Sequence, residues 1–291
     1  MALLPLKDDN ELSRINFQYV TVTLIVACVA VFLWQLSLGQ EQGRYIFGLG
    51  TIPAVLFGSR DLSPDLILIP ETFTMVTSLF LHGGWMHLIF NMLFLWVFGD
   101  NVEDAMGHLR YIAFYLLCGV LATLSHAVME AGSEAPLIGA SGAISGVLGA
   151  YLVLHPKARI LVLFMNIIPL RLPAILVLGG WIGLQFISLN SDDGTAWWAH
   201  IGGFLAGMIL VVPFRRKDVP LFDGAGRFGP DNPNVIDLAE RQHGRSIFPN
   251  TIIADRTPGP WDKPTKSPSK NQPLGVVNPN DLPSSKKPPG R

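Results

Sequence analysis

Apolar residues run in long blocks along this chain, and the polar positions that break the blocks decide where each block can begin and end. Crossing the hydrocarbon of a bilayer, about 30 Å thick, takes roughly 20 mostly apolar residues in a helix. Six stretches are candidates, at about 17–38, 79–98, 111–130, 138–154, 172–189 and 199–213. The fourth and sixth are short, which predicts helices that begin below the membrane surface. Ile160 to Pro173 is apolar as well. However, Pro169, Arg171 and Pro173 interrupt it, so the pattern predicts an interfacial connection there and not a seventh span. The expected class is all-α, a polytopic bundle of six transmembrane helices over residues 17–213. A cytoplasmic N-terminal segment, residues 1–16, precedes it, and a tail, residues 214–291, follows. From Asp218 onward the 74 residues hold 13 of the 22 prolines, which predicts a disordered cytoplasmic tail.

Composition agrees with the blocks. Of the 291 residues 49% are hydrophobic and only 15% charged, against about 25% charged in soluble domains. A net charge of −1 leaves no dense basic face for nucleic acid, so no nucleic-acid partner is expected. Cys28 and Cys118 both lie inside apolar runs and read as free thiols. Residues 1–16 are polar and mixed, unlike a cleavable signal peptide.

The basic residues set an orientation. Lys7 and Arg14 precede the first span, and Arg110 lies between the second and third. Lys157, Arg159 and Arg171 lie between the fourth and fifth, and Arg215, Arg216 and Lys217 follow the sixth. The connections after the third and fifth spans have neither Lys nor Arg. By the positive-inside rule both termini are expected in the cytoplasm, and the connections after spans one, three and five outside. A compact six-span core without an organelle-targeting leader suggests a bacterial inner (plasma) membrane as its bilayer.

Strongly polar groups inside a span are costly and usually face a bundle interior or a water-filled cavity. The second span opens with His82, His87 and Asn91, the last two four residues apart and therefore on one helical face. The fourth opens with Ser141 and the sixth with His200. In the deduced orientation all of these sit at one depth, in the outer leaflet. Gly203 and Gly207 follow His200 along one face, and Gly142, Gly146 and Gly149 form a similar stripe beside Ser141 and Ser145. Small residues in such stripes let membrane helices approach closely. Close approach of spans four and six would bring the His200 ring within reach of Ser141, and a serine needs such a base to become a nucleophile. Free backbone N–H groups and the helix dipole at Ser141, with Asn91 and His87 as side-chain donors, would stabilise an oxyanion.

Three motifs, His82-x4-His87-x3-Asn91, Gly139-Ala-Ser141-Gly142 and Ala199-His200-x2-Gly203-x3-Gly207, resemble those of the rhomboid intramembrane serine proteases, in the same order and over roughly residues 15–213. The resemblance implies a peptide-bond hydrolase acting on single- or multi-span membrane-protein substrates near the outer surface of the lipid bilayer, without cofactor or metal. It implies Ser141 as nucleophile, His200 as general base and acid, and an oxyanion hole of His87, Asn91 and the Ser141 N–H. His82 is implied as a packing and hydrogen-bonding residue. The stretch Val102-Glu103-Asp104 to Gly107 resembles an inner connection that caps helices. The chain departs from the pattern at Ser145, where well-studied members carry an aromatic residue stacked on the catalytic histidine. That leaves Ser145 itself, or a packed neighbour, to hold His200.

Other readings compete with this one. Ser141 alone reads as a packing residue in a glycine-rich helix, and His200 alone as an interfacial histidine. His82, His87 and Asn91 lack the carboxylate or third close ligand of a metal face. The tryptophans at 85, 181, 197 and 198 suit packing or an aromatic belt; His126, in the third span, could approach the site but better suits the outer interface. There is no His-Glu-x-x-His and no pair of aspartates within the spans. A carrier would be expected to repeat its pattern between halves, which this chain does not. A rhomboid-like pseudoprotease that binds membrane clients without cutting them is the alternative that remains.

Overall fold

The first apolar block forms α1 (Tyr19–Ser37). The connection after it is built from short helices: α2 (Gln42–Leu49), α3 (Pro53–Leu56) and α4 (Glu71–Thr77). Then come α5 (Trp85–Met106), α6 (His108–Met129), α7 (Ser141–Leu154), α8 (Ala174–Ile187) and α9 (Trp197–Phe214). This computed structural model describes residues 3–165, 167–191 and 194–222; the expected tail from 223 onward lies outside the described residues.

Three of these helices, α1, α6 and α9, are long and apolar enough to cross a membrane. The block at 79–98 does not start as one helix. A single turn at Ser78–Phe80 ends α4, and α5 sets off at an angle of 82° to it after His82-Gly83-Gly84. Counted as one broken span, that pair makes up to four crossings. At 14 residues each, α7 and α8 reach only about 21 Å at 1.5 Å per residue, short of the hydrocarbon thickness.

The all-α expectation is corrected by a three-stranded antiparallel sheet, so the protein is mostly helical. Residues 159–173 form a β-hairpin, β2 (Arg159–Phe164) and β3 (Ile168–Pro173), and β1 (Leu3–Asp8) pairs along the free side of β2. Pro169 and Pro173 lie on β3 at the sheet's edge, where a missing N–H breaks no ladder. Ile160 and Val162, on one face of β2, join the core of the bundle. At the other end of the described chain, Val219 is buried, and the Phe222 N–H donates to the Val153 carbonyl at 2.8 Å.

The C-terminal end of α5 ties the N-terminal segment down, as the capping reading of residues 102–107 anticipates. Glu103 accepts the backbone N–H groups of Val20 (3.0 Å) and Thr21 (2.8 Å), two of the unpaired donors at the start of α1. Asp104 accepts those of Ser13, Arg14 and Ile15. A carboxylate placed against N–H groups at a helix start satisfies them and also suits the helix dipole.

A third carboxyl, Asp8, is buried between the sheet and the bundle. Its Oδ2 accepts from the Tyr151 hydroxyl on α7 at 2.6 Å and from Asn101 Nδ2 on α5 at 2.8 Å. Burial raises its pKa to about 7; the Tyr151 hydrogen bond opposes the rise, and the neighbouring charges of Asp100 and Asp9 add to it. A folded-state pKa above the ordinary 3.8 means that the contribution to stability is complete below that value and is lost as pH rises through about 7. Asp8→Asn keeps the shape and removes the titration. In detergent, the wild-type melting temperature should therefore fall more than that of Asp8→Asn between about pH 4 and pH 8. Parallel melting curves would show that Asp8 does not titrate in that window.

Candidate active site

Helices α5, α7 and α9 all begin at the end of the bundle away from the sheet, and their first turns bring the polar residues of the three motifs together. Ser141 is the first residue of α7, so its N–H belongs to the unpaired donors at the positive end of the helix. The strand leading into it is pinned. Thr51 and Leu137 exchange backbone hydrogen bonds, and the Gly139 N–H donates to the Ser78 carbonyl at 2.9 Å. Gly139 has φ +124°, which side-chain-bearing residues rarely adopt, and a Cβ there would lie 2.7 Å from Cε1 and Nε2 of His87. That bare backbone lets the histidine of α5 sit directly against the segment carrying the serine.

Ser141 and His200 line one cavity of about 420 Å³, together with His87, Asn91, Ser145 and Trp181. Among the described residues no hydrogen bond joins the Ser141 hydroxyl to the His200 ring; the two groups share the cavity without being bonded to each other. Such pairs are often loose in the free enzyme and tighten with substrate bound. The donors opposite are better defined. Asn91 Nδ2 is buried without a partner among the described residues, and a Cβ at Gly139 would lie 3.8 Å from it. The Gly83 N–H points at His87 Nδ1 (3.4 Å), which leaves the ring proton on Nε2, the atom facing Gly139. Two side-chain donors and a backbone N–H thus converge near Ser141.

His82 stands behind this group and does not line the cavity. Its backbone exchanges hydrogen bonds with the Gln35 side chain, its Nδ1 lies 3.2 Å from the Phe80 carbonyl, and its ring meets that of His87 edge-on at 5.2 Å. It braces the bend between α4 and α5. The glycine stripes do bring α7 and α9 together. A Cβ on Gly203 would overlap the Gly142 carbonyl, one on Gly207 the Gly146 carbonyl, and one on Gly149 the Phe204 carbonyl.

The holding of His200 differs from the first of the two possibilities left open by the sequence. The Ser145 hydroxyl donates to the Ser141 carbonyl at 2.7 Å and makes no hydrogen bond to the imidazole. The packed neighbour is Gln185, whose Oε1 lies 2.7 Å from His200 Nδ1. The aromatic contact comes from another helix too. The Trp181 ring lies over His200, tilted by 38° with centroids 5.8 Å apart, and Trp197 meets it edge-on. Trp181 and Trp197 therefore do more than form a belt. Gln185 is absent from the sequence-based expectations, although it is the one side chain on α8 with strong hydrogen-bonding groups besides the Trp181 indole; a lone amide in an apolar span is the signal that marks it. His126 lies outside the Ser141 cavity and lines a neighbouring one of about 260 Å³. Among the described residues no cluster of His, Cys, Asp and Glu could hold a metal ion.

Helices long and apolar enough to cross a membrane, around a cavity lined by a serine at a helix start and a histidine, are those of an integral membrane protein. Comparison with known families is consistent with this: residues 70–217 match the Rhomboid domain. The chain is 35% identical over 198 residues to the rhomboid protease GluP of Bacillus subtilis, covering 68% of this chain and 35% of that protein. It is 30% identical over 216 residues to the mitochondrial presenilin-associated rhomboid-like protein A of Danio rerio, covering 68% and 54%. With RHOMBOID-like protein 5 of Arabidopsis thaliana it shares 30% identity over 140 residues, 48% of this chain and 43% of the other. The chain belongs to the rhomboid family. It spans between about a third and just over half the length of these relatives.

Proposed function

We propose that this protein is an intramembrane serine endopeptidase, hydrolysing peptide bonds in or near the transmembrane segments of other membrane proteins. The observation that carries the reading is the unpartnered Asn91 amide beside His87 and the start of α7, in the cavity that also holds Ser141 and His200. A buried donor without an acceptor costs about 1–3 kcal/mol, a cost that makes sense where negative charge develops during a reaction.

In this reading His200 takes the Ser141 proton as Oγ attacks a substrate carbonyl. The carbonyl oxygen becomes negative and is held by Asn91 Nδ2–H, His87 Nε2–H and the Ser141 N–H. Collapse of the tetrahedral adduct breaks the peptide C–N bond, and His200 gives its proton to the leaving amine. Water admitted to the cavity then hydrolyses the acyl-enzyme with His200 again as base. Six crossing segments, including the two short helices, would enclose this chemistry, with both termini in the cytoplasm and the site near the outer surface. We propose a bacterial inner (plasma) membrane as its bilayer, a reading supported by the similarity to a Bacillus subtilis rhomboid protease.

The lack of a hydrogen bond between the Ser141 hydroxyl and the His200 ring favours a second reading, a rhomboid-like pseudoprotease that holds membrane clients without cutting them. A fluorophosphonate probe separates the two. The first reading expects covalent labelling of the native protein on Ser141 that vanishes on heat denaturation; an unlabelled, folded protein would support the second.

A further inference from the structure

Gln185 is 5% exposed, and both ends of its amide are engaged. Nε2 donates to the Trp181 carbonyl one turn earlier at 3.1 Å, and Oε1 lies 2.7 Å from His200 Nδ1. Chemistry settles which end is which. The Trp181 carbonyl can only accept, so the amide NH₂ must face it, and the amide oxygen is left facing the ring. That oxygen can only accept as well, so Nδ1 must carry a proton. In a neutral imidazole the lone pair is then on Nε2.

We propose that Gln185 is a positioning residue that holds His200 in the Nδ1–H tautomer, leaving Nε2 free to take the proton of Ser141. The inference rests on the hydrolase reading above and supplies what that reading lacks, an orienting group for the base. The division of labour follows from where the groups come from. Trp181 and Trp197 set the plane of the ring from its face and edge, while Gln185 sets its rotation and its proton. Two of the three lie on α8 and the third at the start of α9, so the base is held by the second of the short helices and by its own helix, not by the helix that carries the nucleophile. An amide has no charge to offer the imidazolium, and its support is a hydrogen bond alone.

The test compares Gln185→Leu and Gln185→Glu in the full-length protein, with cleavage of a single-span substrate in detergent and a pH–rate profile for each. Gln185→Leu should lower kcat by about 10–100-fold, the weight of one hydrogen bond to a group that becomes charged, with KM little altered. Gln185→Glu keeps an acceptor on Nδ1 and should retain most of the activity. Its carboxylate favours the imidazolium, so the acidic limb of its profile should move to higher pH. A role confined to packing would lower both variants alike and leave that limb in place, and this outcome overturns the inference, as does Gln185→Leu with wild-type kcat. Should Gln185→Leu fail to fold, the limb of Gln185→Glu decides. A wild-type protein that neither cleaves nor takes up fluorophosphonate defeats the hydrolase reading itself, and this inference with it.

Discussion

Ser141→Ala and His200→Ala are each expected to abolish cleavage of a single-span substrate while the protein still inserts and melts normally. In the proposed reaction Ser141 is the atom source for the new bond, and the other serine lining the cavity, Ser145, has its hydroxyl committed to the Ser141 carbonyl. Where nucleophile and base act as a unit, losing either costs about as much as losing both, on the order of 10⁶-fold in turnover. The double variant should therefore be no worse than either single one. Asn91→Ala should sit between these and the wild type, at about 10²–10³-fold, the usual weight of one oxyanion donor. Turnover measured in reconstituted vesicles checks the order. Wild-type rates in either single variant would remove Ser141 and His200 from the chemistry and overturn the mechanism proposed above.

Most of the helical framework and the set of residues at the cavity are legible in the sequence because each has a strong local cause. Apolar runs at Tyr19–Ser37, His108–Met129 and Trp197–Phe214 have no cheaper state than a helix buried in lipid or protein. Histidine, asparagine and serine near the start of otherwise apolar blocks mark polar groups that must face something other than lipid. What stays hidden is non-local. Arg159–Phe164 is a short apolar run whose strand character depends on pairing with Leu3–Asp8, more than 150 residues away. Nothing inside either segment announces the partner. Hydropathy sets the start of α5 too early because apolar character is continuous through Leu79-Phe80-Leu81, whereas the backbone breaks at His82-Gly83-Gly84. Gln185 escapes for a related reason. The family resemblance points to Ser145, four positions after Ser141, as the neighbour of His200, while the contact that holds the ring comes across a helix interface that the motifs do not describe.

The close seam of α7 and α9 gives the other large expectation, because the same chemical change should act in opposite senses at two glycines. At Gly207 a Cβ would overlap the Gly146 carbonyl, a backbone atom that no rotamer change can move aside. Gly207→Ala must push the two helices apart. Overpacking of this kind costs about 1–3 kcal/mol. Turnover should fall further than stability does, since the displacement falls between Ser141 on one helix and His200 on the other, and a misplacement of about 1 Å can cost 10²-fold. At Gly180, on α8, nothing lies within 4 Å of the place a Cβ would take. Gly180→Ala there only removes backbone freedom from a helix, worth about 0.5–1 kcal/mol in favour of the alanine. The melting temperature in detergent should thus drop for Gly207→Ala and hold or rise for Gly180→Ala, with activity lost only in the first. Equal, mild effects at both positions would mean that α7 and α9 stand further apart than their glycines require, and that the cavity does not depend on their contact.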